Sequence, residues 1–182
     1  MEKELMMVGI ILVLLAVGLS GCNDKSNSGN TGETDDSITY ASFTNGEFYV
    51  EYPSDWDVTI EKQDQGPDTI FVAEAYSFGP YIYVRGTELE DLTNGFEGWA
   101  DSTYQDLVDS EDSTVIDYQE AINEALIICN ELKGDDVPFY TQYKFILCID
   151  SVYLCTVTTE VAFQSDYQDI LEHAIMSFEC AV

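Results

Sequence analysis

The chain has 182 residues, 6 of them Lys or Arg against 35 Asp or Glu, and a formal net charge of −29. That balance excludes nucleic acid, whose phosphates need cationic partners, and it repels an anionic lipid surface. A hydrophobic fraction of 46% with 13% aromatic residues excludes a disordered acidic tail, since so much apolar surface can fill a core. A folded domain under an acidic skin is left. High salt screens such self-repulsion, so the expected source is salt-adapted and archaeal.

Met6 to Leu19 is an apolar run without charge, fourteen residues long. A spanning helix needs roughly 20, whereas this is the length of a signal-peptide core. The run ends in Leu19-Ser20-Gly21-Cys22, which resembles the lipobox of prokaryotic lipoproteins. The resemblance implies cleavage before Cys22 and a diacylglyceryl thioether on its sulfur, so residues 1–21 read as signal peptide. Two acyl chains hold a protein where one binds only marginally. The alternative is an uncleaved anchor helix. Both place the rest of the chain outside the cytoplasmic membrane. Cleavage removes Glu2, Lys3 and Glu4, leaving 5 basic and 33 acidic residues, net −28. The charge therefore belongs to the exported part.

Residues 22–37 are expected to be a lipid-anchored tether. From 23 on they contain Gly, Ser, Asn, Thr and acids with no apolar side chain, a flexible composition. The acids lack the D-x-D-x-D-G order of a calcium loop. A single domain is expected over 38–182.

Phe48, Val50 and Tyr52 alternate with Tyr49 and Glu51, which predicts a half-buried strand over 47–52. Pro53 has no N–H and a fixed φ, so the ladder stops there. Trp56, Val58 and Ile60 resume the period, with Trp56 turned into the core as an anchor. Residues 69–78 and 81–86 read as a hairpin joined at Gly79-Pro80. Its aromatics Tyr76, Phe78, Tyr81 and Tyr83 are expected under a covering helix. Phe96, Trp99, Ala100, Thr103, Leu107 and Val108 fall at helical spacing after Asn94, the expected cap. Strands are expected over 114–120, 124–132, 140–149 and 152–161, with turns at Gly134-Asp135-Asp136 and Asp150-Ser151. Tyr167, Ile170, Leu171, Ala174, Ile175 and Phe178 form the stripe of a last helix, capped by Ser165 or Asp166. The predicted class is α+β: a central antiparallel sheet flanked by helices, an α/β/α sandwich.

A strand running into Tyr52-Pro53-Ser54-Asp55-Trp56, then strands, a helix, a long meander and a final helix ending near Ser177-Phe178, resembles the PsbP-like family over residues 43–180. The family takes its name from an extrinsic photosystem II subunit and includes small prokaryotic lipoproteins. The resemblance implies an antiparallel sheet between helices and an accessory role. It implies no catalytic residues, and the photosystem role is not carried over.

Beyond Cys22, the cysteines are Cys129, Cys148, Cys155 and Cys180. Outside the cytoplasm disulfides persist. With Ile149 opposite Val152, Cys148 would face Tyr153, Cys155 would face Ile146, and the two cysteines would be diagonal neighbours about 7 Å apart. That is long for a bridge, so Cys129 or Cys180 is the preferred partner for either of the two. Four cysteines allow three connectivities, and buried thiols acting as small hydrophobes are the other reading. No C-x-x-C suggests zinc. The lone histidine, His173, has Asp169 four residues before it, an ordinary helix-surface pair. The acids at Glu88, Glu90 and Asp91, at Asp106, Asp109, Glu111 and Asp112, and at Asp135 and Asp136 read as solvated surface. No metal and no cofactor is expected. Neither a phosphate-binding loop nor a nucleophile-elbow motif occurs.

The expected function is therefore a lipid-anchored, extracytoplasmic, non-enzymatic accessory module. Its partners would be the membrane, through Cys22, and a protein of a membrane or envelope complex. The alternatives are an extracytoplasmic hydrolase and a small solute- or ion-binding lipoprotein.

Overall fold

A computed structural model describes residues 38–62, 69–77, 79–134 and 136–181. The signal segment, the tether, Cys22, Phe78 and Asp135 lie outside the described residues. The strands are β1 (Tyr40–Thr44), β2 (Phe48–Pro53), β3 (Asp57–Lys62), β4 (Thr69–Glu74), β5 (Tyr81–Glu88), β6 (Ser113–Ala121), β7 (Glu124–Lys133), β8 (Val137–Cys148), β9 (Ser151–Glu160) and β10 (Glu179–Cys180). The helices are α1 (Gly95–Asp109) and α2 (Gln164–Ser177).

Seven strands form one sheet in the order β3-β4-β5-β9-β8-β7-β6, and three form a second in the order β1-β2-β10. All the pairings are antiparallel. β9 is central and buried from Ser151 to Thr159, as a strand covered on both faces must be. Its side chains alternate between two cores. Tyr153, Cys155 and Val157 meet Phe48, Val50, Phe71, Leu171 and Phe178 on one face. Val152 and Leu154 meet Phe96, Ala100, Ile127 and Phe145 on the other. Trp56 is buried in the first core, its ring edge-on to Tyr167 at 6.4 Å.

The protein is thus mostly sheet, with one helix on each face. The expectation of a single central sheet missed β1 and β10, which build a second small sheet beside α2. β2 explains that layer. β1 occupies one of its edges, and Glu179 and Cys180 pair with Tyr49 and Phe48 on the other. Ahead of the start of β10, the Ser177 hydroxyl accepts the next ladder N–H, from Glu51, at 2.9 Å. The helix thereby replaces a strand, and a half-buried donor stays satisfied.

The expected caps do not form. Asn94 makes no side-chain cap bond to α1. A 3-10 turn over Val161–Phe163 leads directly into α2, which starts at Gln164, ahead of Ser165 and Asp166. Coverage of the aromatic hairpin is also incomplete. Tyr76 is exposed and Tyr81 and Tyr83 are half-buried. On that side of the sheet α1 packs against β6, β7, β8 and β9, and Arg85 reaches it through the Trp99 ring, 5.5 Å away.

The sheet has two distinct ends. The chain enters at one, where Ser54 N–H bonds Thr39 C=O at 2.8 Å. The turn between β4 and β5 lies at this same end. The turns joining β6 to β7 and β8 to β9 lie at the other, with the β1–β2 turn and β10. Ten residues of β9 separate the ends by about 30 Å at the usual strand rise.

Candidate functional site

The far end of the sheet carries two hairpins, each closed by a two-residue turn. Ala121 opposes Glu124, so Ile122 and Asn123 form a two-residue turn. Cys148 opposes Ser151, so Ile149 and Asp150 form another. In each, an isoleucine takes the first turn position, exposed by 93% at Ile122 and 92% at Ile149. Asn123 has φ +66° and Ile149 has φ +49°. Asparagine tolerates the left-handed region, whereas a β-branched residue there is a true outlier. Its steric penalty is about 1–2 kcal/mol.

This corrects the turn expected at Asp150-Ser151. Propensity assigns isoleucine to a strand and Asp-Ser to a turn. Three ties override it. Leu147 N–H bonds Asn123 C=O at 2.9 Å, and Leu89 N–H bonds Asp150 C=O at 2.9 Å. Cys148 is joined to Cys180 by a disulfide with Cα atoms 5.6 Å apart. Cys148 consequently faces Ser151 rather than Tyr153, and Cys155 faces Lys144 rather than Ile146. Of the two partners open to Cys148, Cys180 is the one joined. Cys129 and Cys155 are buried free thiols. Burial, with Glu131 nearby, pushes the Cys129 thiol up to about 12. Burial raises Cys155 above the ordinary thiol range as well.

Beside the first tip lies a recess of about 300 Å³, lined by Glu120, Ala121, Glu124, Lys144, Ile175 and Met176 among others. Met176, on the last turn of α2, is 77% exposed. The Lys144 ammonium does not point out to solvent. It donates to Phe178 C=O at 2.8 Å and Ile175 C=O at 3.3 Å, and Glu124 is 3.8 Å away. A cation on the last carbonyls of a helix satisfies orphan acceptors and opposes the negative end of the dipole.

His173 does not pair with Asp169 as expected. Its Nε2 lies 2.6 Å from Glu51 Oε2, and its ring stacks on Tyr40 at 3.9 Å. The Tyr49 hydroxyl donates to Glu51 Oε1 at 2.6 Å. This bond, and then His173, hold the Glu51 carboxyl below the usual range. The nearby Ser177 hydroxyl donates to Ala174 C=O and accepts from Glu51 N–H. The group fastens the small sheet to α2. Among the described residues no three or more His, Cys, Asp or Glu side chains gather as a metal site. None of the described helices is long and apolar enough to cross a membrane.

The sequence signal for these exposed isoleucines is an Ile-Asn and an Ile-Asp pair between strand-like runs, and the apolar run before Ile149 masks the second by extending the predicted strand through it.

No family model matches the chain, and no curated protein matches it significantly. Solved structures do. The chain is similar to cyanobacterial PsbP (CyanoP) from Synechocystis sp. PCC 6803, with TM-score 0.54 and 15% identity, over 84% of this chain and 98% of that one. It is also similar to LpqN of Mycobacterium tuberculosis, with TM-score 0.51 and 10% identity, over 81% of this chain and 94% of that one. At such identities the likeness is one of architecture, and the architecture is the PsbP-like fold.

Proposed function

We propose that this chain is a lipid-anchored, extracytoplasmic docking module without a catalytic role. Lipidated Cys22 holds it on the outer side of the cytoplasmic membrane, and its folded unit binds a protein of a membrane or envelope complex. The lipobox-like Leu19-Ser20-Gly21-Cys22 supports the anchor. The fold is similar to that of LpqN, a protein described as involved in cell envelope biogenesis, and this supports the envelope setting. The acidic surface fits a salt-adapted archaeal source.

The observation that carries the reading is the pair of isoleucines on the far hairpin tips, each more than 90% exposed. Isolated exposed apolar residues are ordinary. Two on adjoining turns, one in a strained backbone, indicate a surface kept for contact. Solubilising native membranes in mild detergent and purifying the protein tests this. A stoichiometric protein partner is expected. Recovery of the lone polypeptide carrying a bound small molecule would overturn the reading.

A further inference from the structure

We propose that Ile122 and Ile149, with the recess beside Met176, form the docking surface, and that its partner is a protein surface with an apolar hollow rimmed by Lys and Arg. This rests on the docking reading and names its site and its partner's chemistry.

Rigidity is the first argument. Both turns have two residues, and the Leu147–Asn123 hydrogen bond joins them. The second turn is further held by Leu89 N–H on Asp150 C=O and by the Cys148–Cys180 bridge. A tip fixed in this way loses little freedom on binding, which is the gain of pre-organisation. The left-handed Ile149 is the second argument. Glycine is at home at the first position of such a turn, and isoleucine strains it. An exposed, β-branched side chain retained at that position has no folding advantage.

Charge decides the occupant. Glu47, Glu120, Glu124, Asp150 and Glu179 are exposed around the tips. Lys144, the cation lining the recess, is turned inward onto the helix carbonyls. A second copy would set these acids against each other, and like charges across an interface are strongly unfavourable. An anionic lipid surface is repelled for the same reason. The tips also lie at the opposite end of the folded unit from Tyr40, where β1 starts beside Pro53. A basic rim around an apolar hollow satisfies both the isoleucines and the acids.

Site-specific photocrosslinking of the full-length chain in its source cells tests the placement. A photoreactive residue is set in turn at positions 122 and 149, and at Tyr76 and Phe163 of the entry end as controls. The protein captured from the tips is then purified, and its affinity for the full-length chain is measured. Ile122→Ser and Ile149→Asn should each weaken binding about tenfold or more, as central apolar anchors do. Ile149→Asn should at the same time raise Tm by roughly 2–4 °C through relief of strain, so that weaker binding cannot be put down to unfolding. Crosslinks from Tyr76 or Phe163 alone would overturn the site but leave the docking reading standing. Crosslinks from the tips to lipid or to a second copy would overturn the partner. Absence of any crosslinked protein from either end would overturn both.

Discussion

His173 Nε2 and Glu51 Oε2 lie 2.6 Å apart although 122 residues separate them. The same Glu51 sends its backbone N–H to the Ser177 hydroxyl at 2.9 Å. One residue of β2 thus grips α2 twice, by main chain and by side chain. The small sheet shares a layer with the helix because of these contacts and the apolar packing of Phe48 and Val50.

Acid should loosen this grip. The native Glu51 carboxyl sits below its ordinary value of 4.5, through Tyr49 first and His173 second. A group whose folded pKa is depressed stabilises the fold above its unfolded pKa and stops doing so as pH falls through the folded one. The effect is full above pH 4.5 and fades below it. Because the Glu51 and His173 side chains are about one-third exposed, it is about 1 kcal/mol at most. Glu51→Gln should lower Tm by roughly 2–4 °C at neutral pH, with the gap to wild type closing as the solution is acidified. Thermal melts across pH check this. A gap that stays constant into strong acid would contradict it.

Reduction should open the far end of the sheet. The Cys148–Cys180 bridge closes 32 residues, and loop entropy assigns it about 3–4 kcal/mol. The double variant Cys148→Ala, Cys180→Ala should lose about that much stability in denaturant titrations. A loss below about 1 kcal/mol would mean that β10 and α2 are held by packing alone.

The other two thiols should be silent. Cys129 and Cys155 are fully buried, and burial raises both far above neutrality, Cys129 to about 12. Only thiolate reacts at a useful rate. Intact-mass measurement after alkylation at pH 8 should show no adduct on the native oxidised domain, and two per chain once it is unfolded. Native labelling at either cysteine would refute the packing described for β7 or β9.

Much of the architecture was legible in the sequence because the long strands are apolar, β-branched and aromatic runs bounded by turns, and both helices carry a clear period. β7 alternates in burial from Glu124 to Cys129, β9 is buried on both faces, and Ile170, Leu171, Ala174 and Ile175 form a helical stripe, all four of them buried. What was missed depends on contacts distant in sequence. β10 has only two residues and exists because β2 offers an edge. The His173–Glu51 pair needs β2 and α2 side by side, which no spacing rule reports. α1 starts at the expected Asn94 cap position, though without a side-chain cap bond, whereas α2 starts at Gln164, before the expected Ser165 or Asp166, because packing and not a side-chain cap holds it. The turn at Ile149 violates local propensity, so a reading built on propensity placed it one residue late. That same violation marks the proposed surface.

Anchoring has a separate test. Cys22→Ser removes the sulfur that the lipobox resemblance makes the attachment point. The variant should leave the membrane fraction on fractionation of the source cells, or be retained as an uncleaved precursor of higher mass. Mature-sized protein still partitioning with membranes would show that another element holds it there.

Hydrogen exchange on the native membrane complex, compared with the detergent-extracted chain alone, bears most directly on docking through the hairpin tips. The account predicts slower exchange at amides 119–124 and 147–151 in the complex, with the turns at 53–56 and 75–80 unchanged. Slowing confined to those entry-end turns, or none at either end, would contradict it.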